Sequence, residues 1–515
     1  MSEEFLYKIN DLASFHIDPQ DPEKAWGNLQ NKIPHLSAWG IQMLRDALDG
    51  YVQSIILEEF YTCKDHRNLY SNFYSKKFLD ASRDCSRLHF FNKPNVNALR
   101  LLTNPEEFEN EYLGFSIIRP IRERCLGRTV LDPYKIGKHI DDHYYVLRAD
   151  FRVHIQGISF KVKGYPYTSQ DTDATLCAHS ALWGVCRYLS ERYTIYRELH
   201  PYDFIRLTEN SKGRPVQYRG MTYTDYCKIL SDFGTFPIYR ILNSTTQKVI
   251  NGAIQNVIEW DVEAFKDAYS YVESGFPVLA SLRNVGHVVS LIGHTLNYNA
   301  VVGADEFIDS SVFLKQFIVS DDNFPPYALL GYEGDPENYG KAYAKLNSGK
   351  EATIKNIHTI TCPLPEKVFL PAEEAREKAV KFYQKFHDEI AETGAAPFVT
   401  RLFVTTSASF KNRKLASLTE GKTGPDKAAT LVTNLHLPHF IWVMEISPLD
   451  LYKKGRCTAE IILDATAGLL DDGIIYMRIA NKLLFAIKNS TIKRDVAGAP
   501  KEFPQYTHNL GEKIT

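Results

Sequence analysis

The sequence predicts an α+β protein, in which helices and antiparallel strands occupy different stretches of the chain. The first 160 residues mix one run of helical spacing with β-rich runs, and the middle of the chain places helices before strands. The last part combines one long helix with three β-rich runs. This segregation is typical of α+β folds, whereas strict alternation would indicate a doubly wound parallel sheet.

The length of the chain predicts several regions. A chain of 515 residues exceeds what one hydrophobic core usually serves. Polar, turn-rich segments near residues 161–173 and 334–353 divide it. We therefore expect an N-terminal mixed α+β region of unknown role over residues 1–160, a central domain over 161–340, and a C-terminal α+β region over 341–515 that regulates access or binds substrate.

Composition and charge exclude several classes of partner. The chain is 44% apolar and 24% charged, which is typical of a globular protein. Its formal net charge is −2 and it has no long basic run, so neither nucleic acid nor an anionic membrane is indicated as a partner. No uninterrupted apolar run approaches the roughly 18 residues of a spanning helix. The start "MSEEFLYKINDLASF" lacks the features of a secretory signal, which predicts a cytoplasmic protein. The oligomeric state stays undetermined.

The N-terminal region contains one helical and two β-rich signals. The run "SAWGIQMLRDALDGYVQSIILEEFYT" has helical spacing in its apolar positions, and we interpret it as helix. The runs "YLGFSIIRPI" and "YYVLRADFRVHIQGISF" are rich in β-branched and aromatic residues, which predicts strands.

The sequence of the central region predicts helices followed by strands. "TYTDYCKILSDFG" and "DVEAFKDAYSYVESG" each start near a capping residue, Thr222 or Thr224 in the first and Asp261 in the second, and each ends at a glycine. Three strand candidates follow, "FPVLASL", "GHVVSLIGHTL" and "FLKQFIVSD".

The C-terminal region contains one strong helix signal, "PAEEAREKAVKFYQKFHDEIAETG", with a proline and two glutamates at its start and a glycine at its end. Three β-rich runs follow, "FVTRLFVTTSASF", "HFIWVMEIS" and "TAEIILDATA". These patterns predict a third α+β unit.

Cys177 lies where a polar run changes to a helix with one apolar stripe. Asp173 and Thr175 offer capping oxygens just before it, which predicts that Cys177 occupies the first helical turn. A helix N-terminus lowers the pKa of a thiol and favours the nucleophilic thiolate. Cys186, in the middle of the same helix, gains no such help. The eight scattered cysteines are otherwise expected to be reduced thiols.

A cysteine nucleophile needs a base and a residue that orients it. His287 opens the apolar strand "GHVVSLIGH", and a second β-run ends on Asp321 and Asp322. A carboxylate there would accept the hydrogen bond of the second imidazole nitrogen. Gln170, seven residues before the cysteine, offers a side-chain amide that would donate to an oxyanion beside the Cys177 backbone N–H.

Residues 165 to 335 resemble the papain-like fold, and in particular the bacteriocin-processing double-glycine peptidases. The resemblance lies in the order of Gln170, the Cys177 helix, "ESGFPVLASLRNVGHVVSLIGH" and "FIVSDD". It implies that Cys177 is the nucleophile, His287 the base, Asp321 the orienting carboxylate and Gln170 the oxyanion donor. Gln170 is one residue farther from the cysteine than is usual in that family. Asp-Asp-Asn replaces the Asp-Pro pair of the relatives, which leaves Asp322 as a competitor of Asp321.

The resemblance implies a central papain-like cysteine peptidase domain flanked by two mixed α+β regions, with no cofactor and no catalytic metal. The expected activity is that of a cysteine peptidase or related thiol acyl hydrolase, which cleaves a peptide or isopeptide bond of a protein or peptide through a thioester. Two alternatives remain: a papain-fold deamidase or acyltransferase, and a catalytically inactive protein-binding module.

Other clusters are weaker signals. The soft ligands of "CKDH" and "CSRLH" have the spacing of a zinc site but not the usual ligand order. Arginines near "GFSIIRPIRERCLGRTVL" would bind phosphate or acidic peptide, but we favour a solvated face or intramolecular ion pairs. Glu445 and Asp464 interrupt apolar strands and are expected to be paired structural carboxylates. The residues of the first two clusters are Cys63, His66, Cys85 and His89, and Arg119, Arg122, Arg124, Arg128 and Arg148.

Overall fold

A computed structural model of the chain describes residues 12–78, 81–137, 143–212, 220–250, 253–346, 349–417, 426–468, 470–487 and 490–507. Helices and strands are both abundant, and they segregate as the α+β prediction requires. Residues 1–11, on which the interpretation of the N-terminus partly depends, lie outside the described residues. None of the described helices combines the length and the low polarity that crossing a membrane requires.

The N-terminal region forms a five-stranded antiparallel sheet whose spatial order follows the order of the chain. Its strands are Leu12–His16, Ser54–Tyr61, Cys85–Phe91, Tyr112–Ile118 and Leu126–Leu131. Its helices and helical turns are Pro22–Lys32, Ala38–Leu48, Lys64–Asn72, Tyr74–Lys76, Ala98–Thr103 and Pro105–Phe108.

The run predicted to be one helix divides into two kinds of element. The helix ends at Leu48, Gly50 adopts a positive φ of 82°, and a strand begins at Ser54. The first five residues of the strand are buried on both faces of the sheet. A short apolar run of this kind has no strict alternation, so its periodicity did not distinguish strand from helix.

The central sheet has seven strands, and His287–Leu296 lies among them as the strand with the most partners. It pairs with the strands on both sides and, at its C-terminal half, also with Tyr144–Val146. The strands are Ala328–Leu330, Leu314–Ser320, His287–Leu296, Val278–Leu282, Ile357–Pro365, Thr235–Ile241 and Tyr144–Val146. Tyr144–Val146 precedes residue 160, and Ile357–Pro365 lies beyond residue 340. The central sheet therefore crosses both expected domain boundaries.

Four helices belong to this region, and all but Pro201–Lys212 correspond to helices that the sequence predicts. They span Cys177–Arg192, Pro201–Lys212, Tyr223–Phe233 and Val262–Glu273. The Asp261 carboxylate accepts a hydrogen bond from the Ala264 N–H at the start of the last helix, and Gly234 ends its predecessor with a positive φ of 104°. Two hairpins stand beside the sheet, Ala149–Ile155 with Ile158–Gly164 and Asn243–Ile250 with Ala253–Trp260.

The C-terminal region forms a second seven-stranded sheet. Its strands are Phe307–Asp309, Phe398–Thr406, Phe440–Pro448, Ala459–Asp464, Ile474–Ile479, Lys482–Ile487 and Ser490–Asp495. Phe307–Asp309 pairs in parallel with Phe398–Thr406, although it precedes residue 340. The short strands Arg456–Cys457 and Phe503–Pro504 pair with each other.

The long helix predicted for residues 371–394 is interrupted. It runs from Ala372 to Tyr383, passes through the 3₁₀ turn Gln384–Phe386 and continues as His387–Ala391. Other helices and turns of the central and C-terminal regions are Ser310–Phe313, Lys341–Leu346, Ile354–Asn356, Ser407–Ser417, Lys427–Thr433 and Leu449–Tyr452.

A buried ionic cluster joins the central and C-terminal sheets. Arg401 Nε lies 2.7 Å from Glu273 Oε2, and Arg401 Nη1 lies 3.0 Å from Glu445 Oε2. His294 Nε2 lies 2.7 Å from Glu273 Oε1, and all four side chains are almost fully buried. Glu445 is therefore the paired structural carboxylate that the sequence indicated. Asp464, at a strand end, instead accepts hydrogen bonds from the backbone and hydroxyl of Thr466.

Candidate active site

The helix that carries Cys177 begins at Cys177 itself and continues to Arg192. Its N-cap residue is Leu176, so the expected capping by Asp173 or Thr175 does not occur. The Thr175 hydroxyl instead accepts a hydrogen bond from the Asp171 N–H, and Asp173 pairs with Lys77 at 2.5 Å. Cys177 nevertheless occupies the first turn, where backbone N–H groups lack helical partners and favour a negative charge.

Asp171 shapes the loop before this helix. Its Oδ1 accepts hydrogen bonds from the backbone N–H groups of Asp173, Ala174 and Thr175, and its Oδ2 accepts one from the Tyr74 hydroxyl at 2.9 Å. One buried carboxylate therefore compensates three backbone donors that would otherwise be left unpaired. Hydrogen bonds to the Asp171 side chain hold the loop that precedes Cys177, because this loop belongs to no β-strand that would pair its backbone groups.

His179 contributes to the capping of the helix N-terminus. Its Nδ1 accepts a hydrogen bond of 3.2 Å from the Leu176 N–H. Burial lowers the pKa of His179 to about 3, and this opposes the raising effect of Asp225. A neutral imidazole with an acceptor Nδ1 is the form that this contact needs. His179 is thus a structural residue.

His287 occupies the first position of its strand, opposite Leu282 across a tight turn. The turn requires Gly286, whose φ is 62°. His287 Nε2 lies 2.9 Å from Asp321 Oδ1, and the imidazole also hydrogen bonds with the Cys177 side chain. Since Nε2 faces the carboxylate, Nδ1 is the nitrogen left to face the thiol. The structure therefore brings together the three side chains Cys177, His287 and Asp321.

Asp321 follows the strand Leu314–Ser320 and is fully buried. Its Oδ1 accepts hydrogen bonds from His287 and from the Asn323 N–H, the latter at 2.9 Å. Its Oδ2 accepts hydrogen bonds from the hydroxyls of Tyr339 at 2.9 Å and Tyr343 at 2.6 Å. Four donors leave this carboxylate little freedom to rotate, so it is suited to hold the imidazole in one orientation.

Asp322, the competitor, is also close to the imidazole. Its Oδ1 lies 3.4 Å from His287 Nε2, compared with 2.9 Å for Asp321. The backbone N–H of Gln170 approaches the Asp322 carboxylate, which has fewer donors than Asp321. The shorter distance and the four donors favour Asp321 as the orienting carboxylate, while both carboxylates face the same ring nitrogen.

The electrostatic interaction between His287 and Asp321 favours a charged imidazole. Burial would lower the pKa of His287, but the charge and hydrogen bond of Asp321, with smaller effects of Cys177 and Asp322, raise it well above its usual value. Burial would raise the pKa of Asp321, but the charge and hydrogen bond of His287 and the donors Tyr343 and Asn323 lower it.

These opposite shifts define a window of stability. The lowered pKa of Asp321 stabilises the folded state above the unfolded pKa of about 4, and this contribution is lost as the pH falls through the folded value. The raised pKa of His287 stabilises the folded state below about 6.5, and this contribution is lost as the pH rises through the folded value. Both contributions are complete between about pH 4 and 6.5.

Gln170 lies beside the same group of side chains. Its backbone N–H approaches the Asp322 carboxylate closely enough to lower the pKa of that group. Its neighbour Ser169 hydrogen bonds with the Leu126 carbonyl through both its N–H and its hydroxyl. The Gln170 side chain is half-buried. The backbone N–H of Gln170 therefore lies at the site, next to the Asp322 carboxylate.

The arginines of the N-terminal region are mostly engaged within the protein. Arg119 donates from Nη2 to the Ser169 carbonyl and hydroxyl, both at 2.9 Å, and thereby supports the loop that contains Gln170. Arg128 lies 3.6 Å from Asp65. Arg124 stacks 4.5 Å from the Trp39 ring, and Arg148 lies 4.0 Å from Asp132. Arg122 is exposed.

In the described residues, the four candidate zinc ligands of the sequence pattern do not gather into one metal-binding group. His66 Nε2 hydrogen bonds with the Ser82 carbonyl at 2.9 Å, and both ring nitrogens of His89 have partners, Tyr112 and Glu58. The Cys63 and Cys85 side chains contact each other. The two histidines are thus used as hydrogen-bonding core residues.

Two other groups of ligand atoms lie within 4.8 Å of one another in the described residues. Asp65, Glu198 and His200 form the first, but Arg128, Arg187 and Lys64 pair with its carboxylates. The second consists of His287 and the two neighbouring aspartates, where four donors already occupy Asp321. A cation would have to displace these partners in either place.

Tyr339 and Tyr343 were not predicted as site residues. They lie in the polar segment that was interpreted as a boundary, and Tyr343 belongs to the short helix Lys341–Leu346. The Tyr343 ring centroid lies 5.6 Å from that of His287, and Phe324 packs on both tyrosines. Tyr339 lies in the turn before that helix, so no helical pattern in the sequence linked the two tyrosines.

Replacement of Tyr343 with Phe is expected to raise the pKa of Asp321, because one of the four donors to its carboxylate is removed. A charge-assisted hydrogen bond contributes about 1.5–3 kcal/mol, so the acid limb of the stability profile should move up by about one to two pH units. Denaturant titration between about pH 3 and 6 measures the shift. Tyr332→Phe is the matched control, since no described contact joins its hydroxyl to Asp321. Equal profiles for the two variants would contradict the role of the Tyr343 hydroxyl.

Comparison of the sequence with protein-family models found no match, and neither the curated proteins nor the solved structures contain a significant match to it.

Proposed function

We propose that the chain is a cysteine-dependent hydrolase with a papain-like central domain, which cleaves a peptide or isopeptide bond of a protein or peptide. The observation that carries the proposal is the relay of contacts from Cys177 through His287 to Asp321. The thiol lies in the first turn of a helix, it contacts the imidazole, and the imidazole is held by a buried carboxylate at 2.9 Å.

The proposed first step is attack on a carbonyl. The Cys177 thiolate forms a bond to the carbonyl carbon, and the negative charge moves to the carbonyl oxygen. In this proposal the Cys177 backbone N–H and the Gln170 side-chain amide donate to that oxyanion. Asp321 keeps the His287 ring in the orientation that presents a proton toward the leaving nitrogen.

The second step breaks the C–N bond. His287 gives its proton to the leaving amine, and Cys177 remains as a thioester. Water then attacks the thioester carbon, His287 accepts the proton of the water, and the thiolate leaves as the carboxylic acid product forms. The ion pair is thereby restored, so one histidine serves as acid and then as base.

A thiol that shares its proton with an imidazole should react faster with iodoacetamide than the other cysteines do. Cys177 is half-buried, as is Cys227, whose pKa is raised by burial. We expect Cys177 to alkylate at least about ten-fold faster than Cys227 near pH 7, because the rate follows the thiolate fraction. Labelling of the folded protein, followed by mass mapping of the modified peptides, measures both rates in one sample.

The control for exposure is built into this comparison, since the two cysteines share the same burial class. Cys186, in the interior of the same helix, is buried and should label only after unfolding. Alkylation of Cys177 no faster than that of Cys227 would contradict the proposal and favour the inactive binding module. Incubation with a mixed peptide library, with products read by mass spectrometry, distinguishes hydrolysis from deamidation or acyl transfer.

A further inference from the structure

The group of side chains around His287 contains one carboxylate more than the proposed mechanism uses. Asp322 is 5% exposed, and its Oδ1 lies 3.4 Å from the ring nitrogen that Asp321 also faces. Its backbone is fixed, because its carbonyl accepts a hydrogen bond of 3.2 Å from the Tyr167 hydroxyl. The position of the carboxylate beside the imidazole is thus imposed by the fold.

The surroundings of Asp322 provide few reasons for a charge to be buried there. The backbone N–H of Gln170 approaches the Asp322 carboxylate, whereas its neighbour Asp321 has four hydrogen-bond donors. Burial of a carboxylate with so few donors is costly unless a cation compensates its charge. A residue kept only for stability would be better replaced by an amide or an apolar side chain.

We propose that Asp322 is a second positioning carboxylate for His287, which together with Asp321 compensates the imidazolium and so sustains the thiolate of Cys177. This inference rests on the thiol–imidazole pair of the proposed function. Asp322 acts through His287 and is not placed to touch a substrate.

The charged and titratable groups around the pair are consistent with this role. Asp321 follows the neighbouring strand, Arg124 approaches from the N-terminal sheet, and Cys177 lies on its helix. The hydroxyls of Tyr339 and Tyr343 face Asp321, and that of Tyr167 contacts the Asp322 backbone. In this arrangement the closest cation to the Asp322 carboxylate is the imidazolium, at 3.4 Å.

The direction of the effect follows from Coulomb's law. A negative charge 3.4 Å from Nε2 favours the protonated imidazole, and the farther thiolate is disfavoured less, so the ion pair gains. Burial first, and then the charge of Asp321, raise the pKa of Asp322 to about 6, against the opposing effects of His287 and Arg124. The second carboxylate should therefore act at neutral pH and lose its effect in acid.

The test is the pH dependence of Cys177 alkylation by iodoacetamide in the full chain, compared for the wild type and Asp322→Asn. Near pH 7 we expect the variant to alkylate about three- to ten-fold more slowly, because the imidazolium loses one of its two neighbouring carboxylates. Near pH 5 the two rates should converge, because Asp322 is itself protonated in the wild type. Asp305→Asn, which removes an exposed carboxylate from a different loop, is the matched control and should follow the wild type.

Thermal unfolding separates positioning from structure. A positioning role predicts that Asp322→Asn and Asp322→Ala unfold at the wild-type temperature or above it, while their alkylation near pH 7 is slowed. Unchanged alkylation profiles, or a slowing that Asp305→Asn shares, would overturn the inference. Lower unfolding temperatures in both variants, with unchanged alkylation of the folded fraction, would assign a structural role instead. Because alkylation requires no substrate, this result stands apart from whether any peptide is hydrolysed.

Discussion

Replacement of Cys177 with Ala is expected to abolish hydrolysis, with a loss of at least about 10⁴-fold in turnover, because the covalent step loses its nucleophile. The measurement is the rate at which peptides that the wild-type enzyme cleaves disappear from a mixed library. Cys227→Ala is the matched control, since it removes a half-buried thiol from a different helix and should leave the rate unchanged.

The same experiment tests whether Cys177 and His287 act as a unit. We expect His287→Ala to lose about 10²-fold or more, because it removes both the general acid and the partner of the thiolate. The double variant should be no slower than Cys177→Ala, since residues that act in one step are strongly non-additive. Undiminished hydrolysis by Cys177→Ala would show that the proposed chemistry is incorrect, whatever the result for His287.

Replacement of Arg401 with Met is expected to cause the largest loss of stability, about 3–5 kcal/mol in the free energy of unfolding. Arg401 is the cation between Glu273 and Glu445, and it also donates a hydrogen bond of 2.7 Å to the Tyr506 carbonyl. Its removal leaves two buried carboxylates without their main counter-charge. The pKa of Glu445 is already raised by burial, against the lowering effect of Arg401.

Denaturant unfolding followed by tryptophan fluorescence measures this loss, since Trp442 is buried in the C-terminal sheet. Lys248→Met is the control: Lys248 pairs with Glu259 at 2.6 Å, but both side chains are exposed, so a change of less than about 1 kcal/mol is expected. The triple variant Glu273→Gln, Arg401→Met, Glu445→Gln should recover part of the stability, because no unpaired charge remains in the cluster. A loss for Arg401→Met no larger than that for Lys248→Met would contradict the structural role of the cluster.

The sequence contained most of the local structure of the site. The helix at Cys177, the strand that starts at His287 and the strand that ends before Asp321 are each predicted from patterns of fewer than twenty residues. Such patterns report which face of an element is buried, and this is set by neighbours along the chain. The boundaries were less secure: the capping residue of the Cys177 helix was misassigned because several polar side chains compete in that loop.

Contacts between segments that lie far apart in the chain could not be predicted from the sequence. Ile357–Pro365 joins the central sheet from beyond residue 340, and Phe307–Asp309 pairs with the C-terminal sheet from before it. A strand has the same local pattern in either sheet, so only the pairing partner decides to which region it belongs. Tyr343 illustrates the consequence, because a polar segment interpreted as a boundary supplies a donor to Asp321.

By itself, the sequence determined the α+β class, the element that carries each candidate residue and the pairing of Cys177, His287 and Asp321 as a hypothesis of nucleophile, base and orienting group. Only the tertiary structure decided that His287 faces two carboxylates, that Asp321 has four donors, and that a buried arginine joins the two large sheets. The physical reason is that charge compensation and hydrogen bonding depend on distances of about 3 Å between side chains, which separation along the chain does not specify.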